Sequence, residues 1–513
     1  MRGYDAFSQT LKDLKLLPVF GNPGTTELSA LRHVEDYVLT LFDGISVGMA
    51  DGFSQFYGSP SIVNLHSVPG LGNSMSFIYT AKMNRTPLII TAGQQDQRHL
   101  LMEPLLSGNL LSFVGENVKF KYELTKAEEI PSAIRKAKMI ATTPPTGPVF
   151  LSIPMNLMDE EINYEKQDDI SINYNTNNKE VLDYVSEIIN SAKNPSIVFG
   201  WEVDFFNAFK EAEELAEKLG CAVYSEPLSH RAPFLSSSKY FAGDLMPGST
   251  LINLKLLQND VIIFLGGDIT LYPYLPSPIL KGKKVIFLGM NIQPKFGEFY
   301  NVNVKIFMRE LKDKIKRKCN FAKPLDLGMT TKIANERSNM GINYVFSKIK
   351  KEFSSYTVVD EAVSSSYILR NFMGYSHNTY FTAKSGQLGW ALPAGAGIAM
   401  KHNKTLAILG DGALMYSVQT LWTLKRYKIP LKIIVLKNGG YVILKSYASS
   451  YYPDMENKAF LNFDLDIEKI SSSFGIESMV AGNDMDELKW LAEGEEPKLL
   501  VVNVDRSVPK LFL

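Results

Sequence analysis

Cysteine, net charge and long apolar runs are scarce in this chain of 513 residues, and each scarcity excludes a class of protein. The only cysteines, Cys221 and Cys319, lie far apart without CxxC spacing, so we expect no disulfide framework, no zinc site and a reducing cytosol. Lys plus Arg and Asp plus Glu both number 54, which argues against a nucleic-acid-binding or membrane-surface protein. No run of about eighteen apolar residues occurs and no signal-like apolar core begins the chain, so we expect a cytoplasmic protein without membrane spans.

Short apolar runs alternate with longer helical patterns along most of the chain. This alternation is typical of α/β layers on parallel sheets, and a chain of this length predicts several domains. Two polar, Asn-rich stretches, at about 159–178 and 318–339, are predicted linkers. They divide the chain into three doubly wound parallel-sheet units at 1–160, 179–320 and 340–513. Apolar runs predict five strands in the first unit, four in the second and five in the third, and the similar unit lengths hint at an internal duplication.

A Gly-Asp-Gly tripeptide closes one apolar run of the third unit, and Asn438-Gly439-Gly440 closes the next. A helical pattern joins the two runs, which predicts a βαβ unit whose parallel strands open on one crevice. The carboxylate of Asp411 and the amide oxygen of Asn438 then face a shared point. Hard oxygen ligands beside a helix N-terminus suit Mg²⁺ carrying a diphosphate. Taken alone, the tripeptide is also a common turn.

Polar side chains follow apolar runs in the first unit as well. In the loop 21–28, Thr25 or Thr26 is either a helix N-cap or a hydroxyl on a ligand-binding loop. Asp43 is either the N-cap of the following helix or a functional carboxylate, and His66 is either structural or catalytic. Because Asp43 and His66 both lie at carboxyl ends of predicted strands, they could form an acid/base pair in one crevice.

Strings of residues in all three units carry a family resemblance. They are Phe20-Gly21-Asn22-Pro23-Gly24, Gly48-Met49-Ala50-Asp51-Gly52, Asn64-Leu65-His66-Ser67, Leu88-Ile89-Ile90-Thr91-Ala92-Gly93-Gln94-Gln95, Gly147-Pro148-Val149-Phe150-Leu151-Ser152-Ile153-Pro154, Leu388-Gly389-Trp390-Ala391-Leu392-Pro393-Ala394 and the two strand-closing motifs of the third unit. With these strings the chain resembles the thiamine-diphosphate-dependent enzymes, and within them it is most similar to benzoylformate decarboxylase. The resemblance covers essentially the whole chain.

The resemblance implies a pyrimidine-binding, a middle and a diphosphate-binding domain. It also implies that thiamine diphosphate and Mg²⁺ lie between the first domain of one subunit and the third of its neighbour, in a homodimer or homotetramer. Asp411, Asn438 and the backbone carbonyl of Gly440 match the metal ligands. Leu388, otherwise a plain core leucine, matches the residue that props the cofactor into its bent form. The other implied cofactor-binding positions are Asp43, Gly386, Gly410, Gly412, Ala413 and Tyr441.

The reaction implied is non-oxidative decarboxylation of a 2-oxo acid to an aldehyde and carbon dioxide, through carbanion stabilisation by the cofactor. Asp43 matches the carboxylate that activates the aminopyrimidine ring. His66 matches a histidine that handles protons or binds the substrate carboxylate, and Thr25 matches a serine that contacts substrate. By position, Ile443, Tyr447 and the segment around Thr382 should line the substrate pocket.

Three positions depart from the family pattern. Asp43 replaces a Glu and is one methylene shorter, and misplacing a catalytic group by about 1 Å can cost on the order of a hundredfold in rate. Pro273 replaces a histidine of the middle domain, a proposed proton donor, unless Tyr272 or Tyr274 takes its role. Lys384 lies beside one extra residue near the expected pocket, and it either binds a substrate carboxylate or points to solvent.

Two alternatives to a decarboxylase stay open. The first is a carboligase of the acetolactate synthase type, which the missing histidine favours because slower protonation lengthens the life of the enamine. The short chain and the lack of a convincing FAD-binding pattern in the middle unit argue against it. The second alternative is a cofactor-binding paralogue with weak activity.

Overall fold

The fold was analysed in a computed structural model, which describes residues 1–174, 178–272, 278–316, 319 and 340–507. Three six-stranded sheets form, and every strand pair within them is parallel. The predicted fold class, three parallel α/β sheets with helices between the strands, is therefore confirmed. In the described residues no helix is long and apolar enough to cross a membrane.

The first sheet is buried at its centre and half-exposed at its two outermost strands. Its strands are β1 (Val19–Asn22), β2 (Tyr37–Leu39), β3 (Ser61–Leu65), β4 (Leu88–Gln94), β5 (Lys121–Glu123) and β6 (Val149–Pro154), and its helices are α1 (Gly3–Asp13), α2 (Leu28–Leu31), α3 (Asp43–Tyr57), α4 (Ser67–Met83), α5 (Leu110–Val114) and α6 (Glu129–Thr142). The strand order is β2-β1-β3-β4-β6-β5. Two 3₁₀ turns, Leu100–Met102 and Met155–Asp159, complete this part of the chain.

The second sheet follows a stretch, residues 160–174, in which no helix or strand forms. Its strands are β7 (Pro195–Phe199), β8 (Val223–Ser225), β9 (Phe241–Asp244), β10 (Val261–Leu265), β11 (Lys284–Gly289) and β12 (Glu298–Asn301), and its helices are α7 (Lys179–Ser191), α8 (Glu202–Phe205), α9 (Phe209–Leu219), α10 (Ser249–Lys255) and α11 (Val304–Lys314). The order is β12-β11-β10-β7-β8-β9, so the direction of strand addition reverses between β7 and β10. Parallel sheets bind ligands at such a reversal.

The third sheet repeats the strand order of the first. Its strands are β13 (Thr357–Glu361), β14 (Tyr380–Thr382), β15 (Thr405–Gly410), β16 (Lys432–Lys437), β17 (Glu477–Val480) and β18 (Lys498–Asn503), in the order β14-β13-β15-β16-β18-β17. Its helices are α12 (Ile342–Phe353), α13 (Ser366–Met373), α14 (Ala391–Ala399), α15 (Asp411–Met415), α16 (Thr420–Tyr427), α17 (Val442–Tyr451), α18 (Ile467–Ser473) and α19 (Glu487–Ala492), with 3₁₀ turns at Val363–Ser365, Pro453–Met455 and Ala459–Leu461. The second sheet does not share this order, so only the first and third units match the hint of a duplication.

Helices α3 and α14, which occupy equivalent places beside the first and third sheets, pack directly on each other. A methyl group at Gly52 would overlap the backbone of Ala394, and one at Gly397 would overlap the carbonyl of Met49. The hydroxyl of Tyr57 donates to the carbonyl of Ile398 at 2.7 Å. One hydrophobic core consequently contains side chains from both sheets. The two units are joined by a close helix–helix contact that only residues without a large side chain permit.

The two cysteines overturn one expectation from the sequence. Cys221 follows α9, Cys319 lies 98 residues further along, and the structure joins them in a disulfide with a Cα–Cα distance of 5.3 Å. The two segments are also hydrogen-bonded, since the backbone N–H of Cys319 donates to the carbonyl of Leu219 at 2.8 Å. The expectation that the chain has no disulfide is wrong, and the cysteines therefore no longer support the predicted reducing compartment. The predicted second linker falls almost wholly outside the described residues, and the domain boundaries stay predictions.

Candidate active site

Asp43 lies at the start of α3, just past the end of β2, and its side chain is almost completely buried. One carboxylate oxygen accepts from the side-chain amide of Asn22 at 3.2 Å, and the other accepts from the backbone N–H of His66 at 3.3 Å. Phe42 occupies the N-cap position of α3, and the carboxylate of Asp43 caps no helix. The N-cap interpretation of Asp43 is therefore wrong. Its carboxylate is instead held against the end of β3.

His66 lies where β3 passes into α4, with about a quarter of its side chain exposed. Its Nδ1 is 2.9 Å from Oε2 of Glu27. The ring also packs on the backbone of Gly24, where an added methyl group would overlap it. The next residue, Ser67, has a φ of 42°, a left-handed conformation that is costly for a residue other than glycine. Such strain is concentrated at functional sites, and here it occurs at the residue directly after His66.

Glu27 is the residue of this group to which the sequence assigned no role. Its side chain is fully buried, and Oε2 accepts from the backbone N–H of Gly24 at 2.8 Å as well as facing His66. Its Oε1 takes three further donors: the Thr26 hydroxyl at 2.7 Å and the backbone N–H groups of Gly93 at 2.9 Å and Ser67 at 3.0 Å. A buried carboxylate with so many donors holds the imidazole in one orientation. The signal in the sequence was an acidic residue within an otherwise uncharged Gly/Pro/Thr loop.

Thr25 lies at the exposed tip of this loop, and its hydroxyl forms no hydrogen bond to the described residues. Neither Thr25 nor Thr26 caps a helix, because Glu27 occupies the N-cap position of α2 and no side chain caps that helix. The N-cap interpretation of these two threonines is thus wrong. The exposed hydroxyl of Thr25 stays a candidate for contact with a substrate.

Asp411 and Asn438 end the neighbouring parallel strands β15 and β16, whose register places Gly410 opposite Leu436. The two carboxylate oxygens of Asp411 accept from the backbone N–H groups of Gly412 at 2.9 Å and Gly439 at 2.8 Å. Burial raises the pKa of the Asp411 carboxyl above its ordinary value, against the lowering effect of these donors. The amide oxygen of Asn438 accepts from the N–H of Gly440 at 3.2 Å.

The donor set at this strand edge fits a small hard cation. Asp411 has a carboxylate and Asn438 an amide oxygen at this edge, and the predicted third ligand is the backbone carbonyl of Gly440; Mg²⁺ takes oxygen ligands of these kinds. In the part of the chain that the structure describes, no cluster of three or more His, Cys, Asp or Glu side chains could hold a metal ion. A site of two side chains and one carbonyl agrees with that finding, because it contains only one such side chain.

The remaining candidate cofactor positions surround this edge. Gly412 faces the rings of Tyr441 and Phe463, which pack edge-to-face at 5.0 Å, and Ala413 is buried. A hydrogen bond to the Tyr416 hydroxyl, followed by burial, raises the pKa of Tyr441. A side chain added at Gly410 would meet no atom within 4 Å, so the backbone there is open to a ligand.

Leu388 and Gly386 lie in the loop between β14 and α14. Leu388 is half-buried against the core that the first and third sheets share, and Gly386 is exposed with a φ of 75°. Ile443 and Tyr447 lie one turn apart on α17, on the same face of that helix. Tyr272 is half exposed, whereas Pro273 and Tyr274 lie outside the described residues.

Lys384 fits neither of the two roles that the sequence suggested. Its side chain is only 8% exposed, so it does not point to solvent. Its Nζ lies 3.3 Å from the carboxylate of Asp268 and 3.8 Å from that of Glu226, both in the second unit. Burial acts to lower the pKa of Lys384, but the two carboxylates outweigh it and the pKa is raised. The charge of Lys384 is thus committed to an ion pair inside the protein.

The two groups of candidate residues lie on different sheets. Among the described residues, no hydrogen bond or ion pair links Glu27, Asp43 or His66 to Asp411 or Asn438. The structure brings Asp43 to His66, and it brings Asp411 to Asn438. Each pair lies at the carboxyl edge of its own sheet.

Comparison with known proteins defines the class to which this architecture belongs. Three family models match in succession: the N-terminal TPP binding domain of thiamine pyrophosphate enzymes over residues 1–109, the central domain over 182–309 and the C-terminal TPP binding domain over 363–502. The chain belongs to the thiamine pyrophosphate enzyme family.

Particular relatives cover nearly the whole chain. The benzoylformate decarboxylase of Pseudomonas aeruginosa is 28% identical over 99% of both chains. The acetolactate synthase large subunit of Buchnera aphidicola is 24% identical over 93% of this chain and 89% of its own. A solved structure, the thiamine diphosphate-dependent 4-hydroxybenzoylformate decarboxylase of Rhodococcus jostii RHA1, superposes with a TM-score of 0.91 at 27% identity, over 99% of this chain and all of that one.

Proposed function

We propose that this member of the thiamine pyrophosphate enzyme family decarboxylates a benzoylformate-like 2-oxo acid to an aldehyde and carbon dioxide, with Mg²⁺ as the second cofactor. The observation that carries the proposal is the cluster of Glu27, Asp43 and His66 at one strand edge. A carboxylate that would bind the cofactor lies there beside an oriented imidazole that would contact the substrate. Relatives of this chain include decarboxylases of benzoylformate and of 4-hydroxybenzoylformate, which supports the substrate class.

The roles of the residues follow from their contacts. Thiamine diphosphate, when bound, supplies the electron sink that allows the bond between the carboxyl group and the carbonyl carbon to break. Asp43, held by Asn22 and by the N–H of His66, would hydrogen-bond to the aminopyrimidine ring. Asp411, Asn438 and the carbonyl of Gly440 would hold Mg²⁺ and, through it, the diphosphate. His66 is held at Nδ1 by Glu27, which leaves Nε2 to exchange a proton with the substrate.

The proposed site is shared between two subunits of a homodimer or homotetramer. Two observations support this proposal: the two groups of candidate residues are not linked within one chain, and large apolar side chains are exposed beside both. Leu101, Met102 and Leu105 of the first unit are 95%, 79% and 85% exposed, and Phe460 of the third unit is 66% exposed. A second copy of the chain would cover such side chains and bring the first unit of one subunit to the third unit of the other.

Complementation between two inactive variants tests the shared site. Asp43→Ala and Asp411→Ala chains, mixed and reassembled, form heterodimers in half of the dimers, and each heterodimer has one site with both side chains intact. We expect the mixture to recover about a quarter of the wild-type activity, since half of the sites in half of the dimers are complete. A site within one chain would recover nothing, and that result would contradict the dimer proposal.

The activity itself is tested with a panel of aromatic, branched and small 2-oxo acids in the presence of thiamine diphosphate and Mg²⁺. Products are scored for carbon dioxide, free aldehyde and carbon–carbon coupled product. We expect carbon dioxide and aldehyde in equal amounts, with the fastest turnover on an aromatic substrate. Release of carbon dioxide with no aldehyde would contradict the decarboxylase proposal.

A carboligase of the acetolactate synthase type is the second candidate. Acetolactate synthase large subunits are among the relatives of this chain, and the family resemblance implies that Pro273 stands in place of the histidine of the middle domain. Both observations favour attack on a second carbonyl compound over protonation. Pyruvate as the only substrate separates the two candidates, because a carboligase converts two pyruvate molecules into one coupled product and one carbon dioxide.

A further inference from the structure

The loop that carries Gly386 and Leu388 belongs to the third unit and is hydrogen-bonded to the first and second units. The backbone N–H of Lys384 donates to the side-chain oxygen of Asn84 at 3.0 Å, and the hydroxyl of Ser385 lies 2.7 Å from that of Thr80 on α4. The backbone N–H of Thr382, at the start of the loop, donates to the carbonyl of His230 at 2.9 Å. The loop therefore has little freedom of its own, and its position is set by partners in other parts of the chain.

The one charged side chain of this loop, that of Lys384, is buried against the second sheet. Glu226 follows β8 and Asp268 follows β10, so the amine of Lys384 lies at the carboxyl edge of that sheet, beside the reversal of strand order. Both carboxylate oxygens of Glu226 are already fixed by the backbone N–H groups of Trp201 at 3.0 Å and Asp268 at 2.9 Å. The crevice in which a parallel sheet binds a ligand is consequently filled by a lysine of this chain.

We propose that Lys384 is a positioning residue, whose ion pair with Glu226 and Asp268 sets the loop so that Leu388 and Gly386 meet thiamine diphosphate. The second sheet thereby contributes to cofactor binding although it contributes no group to the cofactor. The inference rests on the proposed function only in taking Leu388 and Gly386 as cofactor contacts.

The ion pair of Lys384 fixes the position of the loop backbone, because its buried amine must stay beside the two carboxylates. Lys384 lies two residues before Gly386 and four before Leu388, so a shift of its amine is passed to both positions through a short piece of backbone. Removal of the lysine alone would leave two buried carboxylates without their cation, which destabilises a protein for reasons unrelated to the loop. The test therefore removes all three charges together, as Lys384→Met, Glu226→Gln and Asp268→Asn.

The experiment uses the full-length chain, with thiamine diphosphate and Mg²⁺ as the probe. Three quantities are measured: the Kd of thiamine diphosphate by calorimetry, amide hydrogen exchange across residues 382–391 without cofactor, and the thermal midpoint. For the triple variant we expect a Kd at least about tenfold higher and faster exchange across the loop. The thermal midpoint should fall, because an amide at position 226 leaves the backbone N–H of Trp201 or Asp268 without an acceptor. A purely structural role would lower the midpoint in the same way and leave the Kd and the loop exchange unchanged.

Three further variants keep the test decisive. Lys384→Arg preserves the charge, and we expect it to retain a Kd within about threefold of the wild type. Thr80→Val removes the neighbouring hydroxyl tether with the ion pair intact, and we expect it to raise the Kd and the loop exchange in the same direction even where the triple variant does not fold. Lys404→Met removes an exposed lysine outside the loop and serves as the control, with no change expected.

Two results would overturn the inference: wild-type affinity and loop exchange in the triple variant, or, where that variant does not fold, wild-type affinity and exchange in Thr80→Val. Failure of the wild-type chain to bind thiamine diphosphate is a different outcome, since it would contradict the proposed function. The hydrogen-exchange comparison, made without cofactor, would still decide whether Lys384 holds the loop.

Discussion

Replacement of Glu27 by Gln tests how the imidazole of His66 is held. The substitution keeps the shape of the side chain and removes its charge. The amide oxygen must stay with the three donors at Oε1, namely the Thr26 hydroxyl and the N–H groups of Ser67 and Gly93. The new NH₂ group then replaces Oε2, where it faces the N–H of Gly24 and Nδ1 of His66.

The substitution should change both the free energy of unfolding and the rate of catalysis. The N–H of Gly24 loses its acceptor, which costs roughly 1–3 kcal/mol in the free energy of unfolding. His66 can accept from the new NH₂ group only at an unprotonated Nδ1, so its proton moves to Nε2. General acid–base catalysis by a positioned side chain contributes about 10²–10⁴ in rate, so we expect kcat to fall by that factor, or about 3–5 kcal/mol in activation free energy.

The assay is kcat and KM for aldehyde release, combined with ¹⁵N NMR of the His66 ring to identify which nitrogen carries the proton. Affinity for thiamine diphosphate should stay unchanged, because Glu27 is not assigned to the cofactor. Glu123→Gln is the matched control. Glu123 lies on β5, at the far edge of the same sheet, and its carboxylate accepts a hydrogen bond from the hydroxyl of Ser152 at 2.8 Å. A kcat within threefold of the wild type, or an unchanged ring tautomer, would refute the reasoning.

Three other predictions concern the same two strand edges. Asp43→Ala should abolish turnover while Asp43→Glu retains or raises it in steady-state assays, and unchanged turnover in Asp43→Ala would instead support a weakly active paralogue. A methyl group at Gly70 would overlap the carboxylate of Asp43, so Gly70→Ala should lower kcat on the order of a hundredfold. Gly72→Ala is the control, because its methyl group would lie an ordinary 3.6 Å from Phe113 and should leave kcat unchanged. Measurement of kcat for both variants checks this prediction. Because burial raises the pKa of Asp411, its carboxyl takes up a proton at a higher pH than an ordinary Asp. The affinity for Mg²⁺ with thiamine diphosphate, measured by calorimetry, should therefore fall as the pH is lowered through the raised pKa of Asp411. An affinity that does not change as the pH is lowered would contradict the role of Asp411 as a metal ligand.

The strands that the sequence failed to predict share one physical property. Apolar runs located the buried strands of each sheet, but β5, β9, β12 and β17 were missed. All four are outermost strands of their sheets, and their residues are exposed or half-exposed throughout. An edge strand buries little surface, so its residues carry no apolar run. The predicted fold class was nevertheless confirmed, because the central strands determine it.

The candidate site was predictable where one side chain ends one strand. Asp43, His66, Asp411 and Asn438 all follow apolar runs, and parallel strands bring their carboxyl ends to one edge. Glu27 could not be found in this way, because its role depends on donors up to 66 residues further along the chain. The same limit applies to Lys384 and to the two cysteines, whose partners are defined only by the packing of distant units.

The close contact of α3 with α14 determines how the first and third units unfold. Since side chains of the first and third sheets share a single core, neither unit has a complete apolar interior when it is separated from the other. A fragment that ends before residue 340 would expose the face of α3 that packs on α14, including Gly48 and Gly52, which lie against Pro393 and Ala394. The two outer units should consequently lose structure in one cooperative transition, and a protease that releases either of them should release an unfolded segment rather than a stable domain.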